Sequence, residues 1–171
     1  MINEKEITLT PLQDEEVALC EQWLKKDFIY ERFCPRGEEE FQSWMDEING
    51  RNDVYDSRNF FMVHCDSVKI GFCLLLDLNS EPEYVAELYP DLTGQIAKND
   101  ALELGYCIGE EDYLAKGIGK IIVSKLEEEA KKFGAKIILA DPDETNIPSV
   151  KVLLANSFEK VKDGDYRKEL I

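Results

Sequence analysis

The chain is poor in positive charge. Its 171 residues hold 20 lysines and arginines against 36 aspartates and glutamates, a net charge of −16 at pH 7. Such a surface repels phosphates, which excludes nucleic acid and anionic membranes as general partners and favours a cationic ligand. Histidine is nearly missing. His64 is the only one, and it follows the apolar run Phe61-Met62-Val63, where it reads as a strand residue. Long hydrophobic runs are missing as well. Runs such as Phe72-Cys73-Leu74-Leu75-Leu76 fall far short of the ~20 residues a membrane-spanning helix needs. The opening Met1-Ile2-Asn3-Glu4-Lys5-Glu6 is acidic and lacks the apolar core of a secretion signal. Cysteine occurs at 20, 34, 65, 73 and 107, an odd number with no CxxC spacing. That excludes a disulfide framework and a zinc site, and reads as reduced thiols in a cytoplasmic protein.

What is present is enough for a core. Hydrophobic residues make up 44% of the chain, and its length suits one domain over residues 1–171. Ile7 to Leu12 alternates with period two and reads as a strand. Asp14 is placed to cap a helix carrying Val17, Leu19, Cys20, Trp23 and Leu24, ending near Asp27. A second helix is expected from Glu38 to Ile48, with Phe41, Trp44, Met45 and Ile48 on one face. Strands at Asn59–Cys65 and Val68–Leu78 flank a tight Asp66-Ser67 turn. Residues 79–100 read as a long loop, acidic and tyrosine-bearing, with Pro82, Pro90 and Gly94. A strand at Ala101–Ile108 and a turn lead into a helix at Gly117–Phe133, striped by Ile118, Ile122, Leu126 and Ala130. Glu127–Lys131 and Glu128–Lys132 are spaced as ion pairs on its outer face. A strand at Lys136–Ala140, a helix at Ile147–Asn156 and strands at Phe158–Val161 and Asp165–Leu170 complete a mixed α/β (α+β) domain.

The most informative stretch runs from Glu103 to Lys120. A strand ends, a turn of small residues follows, and a helix opens at Gly117-Ile118-Gly119-Lys120. The first N–H groups of a helix lack intrahelical partners and the macrodipole adds positive potential, so this is an anion site suited to a pyrophosphate. Lys116 and Lys120 add charge. It is neither of the common nucleotide loops. Ile122 stands where GxGxxG needs its third glycine, and Leu114 and Ile121 break GxxxxGK[S/T]. The competing reading is that Gly117 and Gly119 permit only tight packing.

In full context the segment resembles the GNAT acetyltransferase superfamily, whose strand-to-helix turn reads Gln/Arg-x-x-Gly-x-Gly/Ala. Leu114-Ala115-Lys116-Gly117-Ile118-Gly119 matches both glycine positions, with Leu114 in place of Gln or Arg. Glu103-Leu104-Gly105-Tyr106 before it looks like the branch of ribosomal-protein N-terminal acetyltransferases. So does Asn146-x-x-Ser149-x-x-Val152-Leu153 followed by Ser157-Phe158. Asp141-Pro142 ahead of Asn146 also resembles aminoglycoside N-acetyltransferases. The resemblance implies a central, mostly antiparallel twisted sheet flanked by helices. It further implies acetyl-CoA as co-substrate, cradled by Leu114 to Lys120, with Asn146 near the pantetheine arm and Ser149 also binding the cofactor. An oxyanion donor is implied at the strand end around Cys107 and Ile108.

Two departures stand out. Leu153 occupies a position where many relatives carry a tyrosine acid, and Ser157 replaces a glycine. The reaction needs a neutral amine, hence a proton acceptor. Glu103, sharing a strand face with Gly105 and Cys107, is the candidate base, as acidic residues on this strand often are in relatives. It also reads as a solvated strand-end glutamate. Cys107 reads as a small buried residue rather than a nucleophile, and Asn146 also reads as a helix N-cap. Asp141, Asp143 and Glu144 lack a calcium-loop pattern, and no metal is expected. The acceptor is expected to be a small-molecule or peptide amine held by the acidic loop through Tyr84, Glu87 and Tyr89, in a monomer or homodimer. The alternative is a CoA-binding GNAT domain without catalysis, acting as a sensor or interaction protein.

Overall fold

The computed structural model describes residues 2–51 and 58–170. Its strands are β1 (Ile7–Pro11), β2 (Arg58–Cys65), β3 (Val68–Asp77), β4 (Ala101–Ile108), β5 (Ile137–Ala140), β6 (Glu159–Lys162) and β7 (Asp165–Glu169). They form one sheet in the order β1-β2-β3-β4-β5-β7-β6. The β1–β2, β5–β7 and β6–β7 pairs are antiparallel, whereas β4 and β5 run parallel. The helices are α1 (Val17–Leu24), α2 (Asp27–Phe33), α3 (Glu38–Asn49), α4 (Pro82–Leu88), α5 (Ile118–Lys132) and α6 (Ile147–Ala155). Mixed α/β architecture and the predicted strands therefore hold, with ends shifted by a residue or two.

The chain forms two compact units, Met1–Leu74 with Tyr106–Ile118 and Leu75–Gly105 with Gly119–Ile171; β3 and β4 each contribute to both. In the first unit, Ile7, Trp23, Leu24, Ile48 and Phe72 are sealed from solvent. Phe41, Met45 and Ile48 turn inward from α3 as predicted, and the indole N–H of Trp44 donates to the Phe33 carbonyl at 3.0 Å. That bond ties down the end of α2, an element the sequence reading missed. α2 is only seven residues, Asp27-Phe28-Ile29-Tyr30-Glu31-Arg32-Phe33, rich in aromatics and with one buried residue, Ile29, so its helical period is faint. Its N-cap, Lys26, is extended, which separates it from α1. Asp14 does not cap α1. Gln13 starts a 3-10 turn instead, and its backbone N–H donates to Glu16.

Along α5 the stripe Ile118, Ile122, Leu126 and Ala130 is buried, the last three within the second unit, and such side chains contribute ~1.5–3 kcal/mol each for the larger aliphatics. Of the two ion pairs expected on α5, Lys131–Glu127 forms at 3.6 Å. Lys132 turns instead to Glu129, one position nearer, at 3.0 Å.

The expected 79–100 loop carries structure. Pro82 opens α4 at a position where its missing N–H costs nothing. Val85 and Tyr89 pack with Leu78, Ala101 and Leu139. The buried Asp77 carboxylate accepts the N–H of Asn79 and of Asn99, both at 3.1 Å, and so gathers the two ends of the excursion.

Candidate active site

The parallel register of β4 and β5 runs from Ala101↔Ile137 to Glu103↔Leu139. Beyond it β4 continues to Ile108, while β5 stops at Ala140. Glu103 is thus the last residue of β4 in register with β5, and it is half-buried. Alternation along β4 buries Leu102 and Leu104 on one face and leaves Glu103, Gly105 and Cys107 on the other.

Two tyrosines from the α4 segment meet the Glu103 carboxylate. The Tyr84 hydroxyl straddles it, 2.9 Å from Oε1 and 3.0 Å from Oε2. The Tyr89 hydroxyl donates to Oε2 at 2.6 Å. The rings meet edge to face with centroids 6.3 Å apart. Tyr89 is fully buried. Burial first, and the adjacent Glu103 charge second, raise its hydroxyl well above the ordinary tyrosine range, so it stays a proton donor. The Arg167 guanidinium lies over the Tyr89 ring at 5.6 Å and grips Asp91 through two bonds of 2.7 and 2.8 Å. It also bonds the buried Asp165 at 2.8 and 2.9 Å.

These contacts correct part of the acceptor assignment. Tyr89 has its hydroxyl on Glu103 and Arg167 over its ring, so it is interior structure rather than an open cation-binding face. Asp91 is paired with Arg167. Tyr84 is half-buried and Glu87 is exposed.

The turn before α5 has the geometry of an anion cradle. Ala115 and Gly117 both have positive φ, 59° and 79°. A side chain at Gly117 would meet nothing within 4 Å, so the space beside it is open. The N–H groups of Ala115, Lys116 and Gly117 donate to no other group among the described residues. Lys116 and Lys120 are exposed and, among the described residues, form no ion pair. Ile118 is buried and anchors the first turn of α5, where Gly119 is buried too; Leu114 is partly exposed. Upstream, Gly109 is fixed by its surroundings. Its N–H donates to the Ile70 carbonyl at 2.7 Å, its carbonyl accepts from Lys26 Nζ at 2.8 Å, and the Trp23 indole fills the place of a Cβ. Trp23 Nε1 in turn donates to Glu110 at 2.8 Å.

Asn146 sits at the N-cap of α6, but its side chain makes no capping bond, so the capping role expected of it is not realised. Ser149 lies in the first turn, half-buried. Leu153 is buried in the core, and Ser157 has φ 68°, the left-handed region that favours glycine. Burial raises the Cys107 thiol above its ordinary range and pushes that of Cys20 up to about 12, so neither is a ready nucleophile. His64 Nε2 lies 2.9 Å from Thr10 Oγ1 as a strand-to-strand contact. Glu144 accepts from Gly164 N–H at 3.0 Å and from the Tyr166 hydroxyl at 3.2 Å, and Asp143 from Thr145. A groove of about 340 Å³ is lined by Ser124, Glu127, Lys131, Asn156 and Lys168, among others, and by none of the predicted site residues. No described helix is long and apolar enough to cross a membrane.

A family model described as an acetyltransferase (GNAT) domain matches residues 6–159, and the chain belongs to that family. No curated protein matches it. Among solved structures, a domain from Methanocaldococcus jannaschii is 25% identical with a TM-score of 0.71, covering 96% of this chain and 98% of its own. An aminoglycoside N(6')-acetyltransferase from Legionella pneumophila is 16% identical with a TM-score of 0.69 over 96% and 91%. The aminoglycoside acetyltransferase AAC(6')-Ib, solved with coenzyme A and kanamycin, is 16% identical with a TM-score of 0.74 over 95% and 94%. These likenesses bear out the GNAT fold.

Proposed function

We propose that this protein transfers the acetyl group of acetyl-CoA directly to a primary amine, cationic in character. The observation that carries the reading is the turn from Leu114 to Lys120. Its N–H groups and two lysines, without partners among the described residues, and the open space at Gly117 suit a pyrophosphate. The structural neighbour AAC(6')-Ib has been solved with acetyl-CoA and, separately, with coenzyme A and kanamycin.

In this reading Glu103, directly or through water, takes the proton the ammonium must lose. The amine nitrogen then attacks the thioester carbonyl. A backbone N–H near Cys107 and Ile108 steadies the oxyanion, the nitrogen gives up its second proton to water, and collapse expels CoA as its thiolate. With Leu153 buried where many relatives carry a tyrosine, the thiolate takes its proton from solvent. The same leucine favours the second reading, CoA binding without turnover. Release of free CoA with a panel of amines separates the two.

Gly117→Asp puts a side chain at φ 79° and a negative charge against the phosphates. Calorimetric titration should show acetyl-CoA affinity falling at least about tenfold; unchanged affinity in the folded variant sinks the cofactor assignment. Glu103→Gln should lower turnover roughly 10²–10⁴-fold at unchanged acetyl-CoA affinity. Retained turnover removes Glu103 from the mechanism.

A further inference from the structure

Glu103 is held from the far side of its own strand pairing by a chain of contacts that starts on β7. Arg167 forms two bonds to Asp91, just beyond α4, and two to the buried Asp165. Its guanidinium plane is therefore fixed by four hydrogen bonds, the geometry in which arginine is most specific. That fixed plane covers the Tyr89 ring at 5.6 Å. Tyr89 is fully buried and has one hydroxyl proton, which it gives to Glu103 Oε2. Tyr84 approaches the same carboxylate from one helical turn earlier and shares its proton between both oxygens.

We propose that Tyr84 and Tyr89 are positioning residues for Glu103, and that the Arg167–Asp91 pair acts through Tyr89 to set the carboxylate's orientation. The proposal rests on the reading of Glu103 as the base. It gives the α4 segment a task beyond surface charge: to bring two hydroxyl donors to one carboxylate. A carboxylate free to rotate would present its lone pairs to the amine only part of the time. One locked by two donors presents them in a fixed direction, and the donors favour its ionised form. Among the described residues the charged and titratable groups facing this cluster include Tyr84, Tyr89 and Asp91 from the α4 segment, Asp141 after β5, Lys162 from β6 beside Asp91, and Asp165 and Arg167 from β7.

Tyr89→Phe keeps the ring beneath Arg167 and removes only the hydroxyl. Its kcat should fall about ten- to a hundredfold, the scale of a lost hydrogen bond to a charged group, while KM for acetyl-CoA stays put. The acidic limb of kcat/KM should move to higher pH, because the ionised carboxylate has lost a donor. Tyr84→Phe should act in the same direction, and Arg167→Met should reproduce the kcat loss although Arg167 bonds neither oxygen of Glu103. If Tyr89→Phe fails to fold, the half-buried Tyr84 and Arg167 variants carry the test. Carbon-13 titration of the Glu103 side-chain carboxyl, assigned with Glu103→Gln, reads the same effect without catalysis. An upward-shifted titration in the phenylalanine variants supports the positioning role even if Glu103→Gln retains turnover, in which case only the base assignment falls. Variants that lose thermal stability yet keep the wild-type titration, kcat and pH profile overturn the proposal.

Discussion

Gly109 follows the last residue of β4 and shows how much one position can demand. Its own φ is unremarkable among the glycines, yet a Cβ there would overlap the Trp23 indole, which is itself buried and bonded to Glu110. Gly109→Ala should therefore act as overpacking, lowering stability by ~1–3 kcal/mol in chemical denaturation. A variant as stable as the parent would mean that α1 moves freely against the strand end. Gly117 makes the opposite case. There the space is open and the demand is on φ, so its importance lies in what approaches it. Ser157 shows the demand left unmet, a serine at φ 68° in a turn that would suit glycine.

At the scale of elements, α4 depends on ties at both ends. Asp77 joins the chain entering the excursion to the chain leaving it, and Arg167 joins Asp91 to β7. The Arg167 hydrogen bond holds the Asp91 carboxyl below its usual range. A group whose folded value is depressed contributes stability above its unfolded value, near 3.9, and loses that contribution as pH falls through the folded value. Asp91 is exposed, so the effect is screened and modest. Asp91→Asn should thus lower the denaturation midpoint at pH 7, and the gap to the parent should narrow as pH falls below the ordinary aspartate range. A gap that does not change with pH would show that the pair does not depress Asp91.

For the whole molecule, the net charge of −16 sets a field that draws cations from a distance. With Asp91 taken up by Arg167, the exposed Glu83 and Glu87 are the acidic-loop charges best placed to add to that field. With a multiply charged amine, kcat/KM should fall as salt rises, since the Debye length is ~10 Å at 0.1 M. Neutralising Glu83 and Glu87 together should flatten the slope and leave acetyl-CoA binding unchanged. Neutralising Asp91 alone should leave the slope and act on stability. A best acceptor that proved neutral, with no salt dependence, would return the loop to an ordinary solvated surface.

Much of this protein was legible in one dimension. Strand alternation at Ile7–Leu12 and Ala101–Ile108, the α5 stripe from Ile118 to Ala130, and the Gly117-Ile118-Gly119 turn are local patterns, set by backbone geometry and side-chain period, and they survive into the structure. The short helices α2 and α4 were not legible, because each buries little and is held by partners outside itself: Trp44 for α2, and Leu78, Ala101 and Leu139 packed on Val85 and Tyr89 for α4. The candidate base was visible as a residue and its surroundings were not. Nothing in the sequence pairs Tyr89 with Glu103, 14 residues on, or Arg167 with Asp91, 76 residues back. Such pairings depend on which strands lie side by side, and only the folded sheet brings β7 beside β5, and β5 beside the strand that carries Glu103.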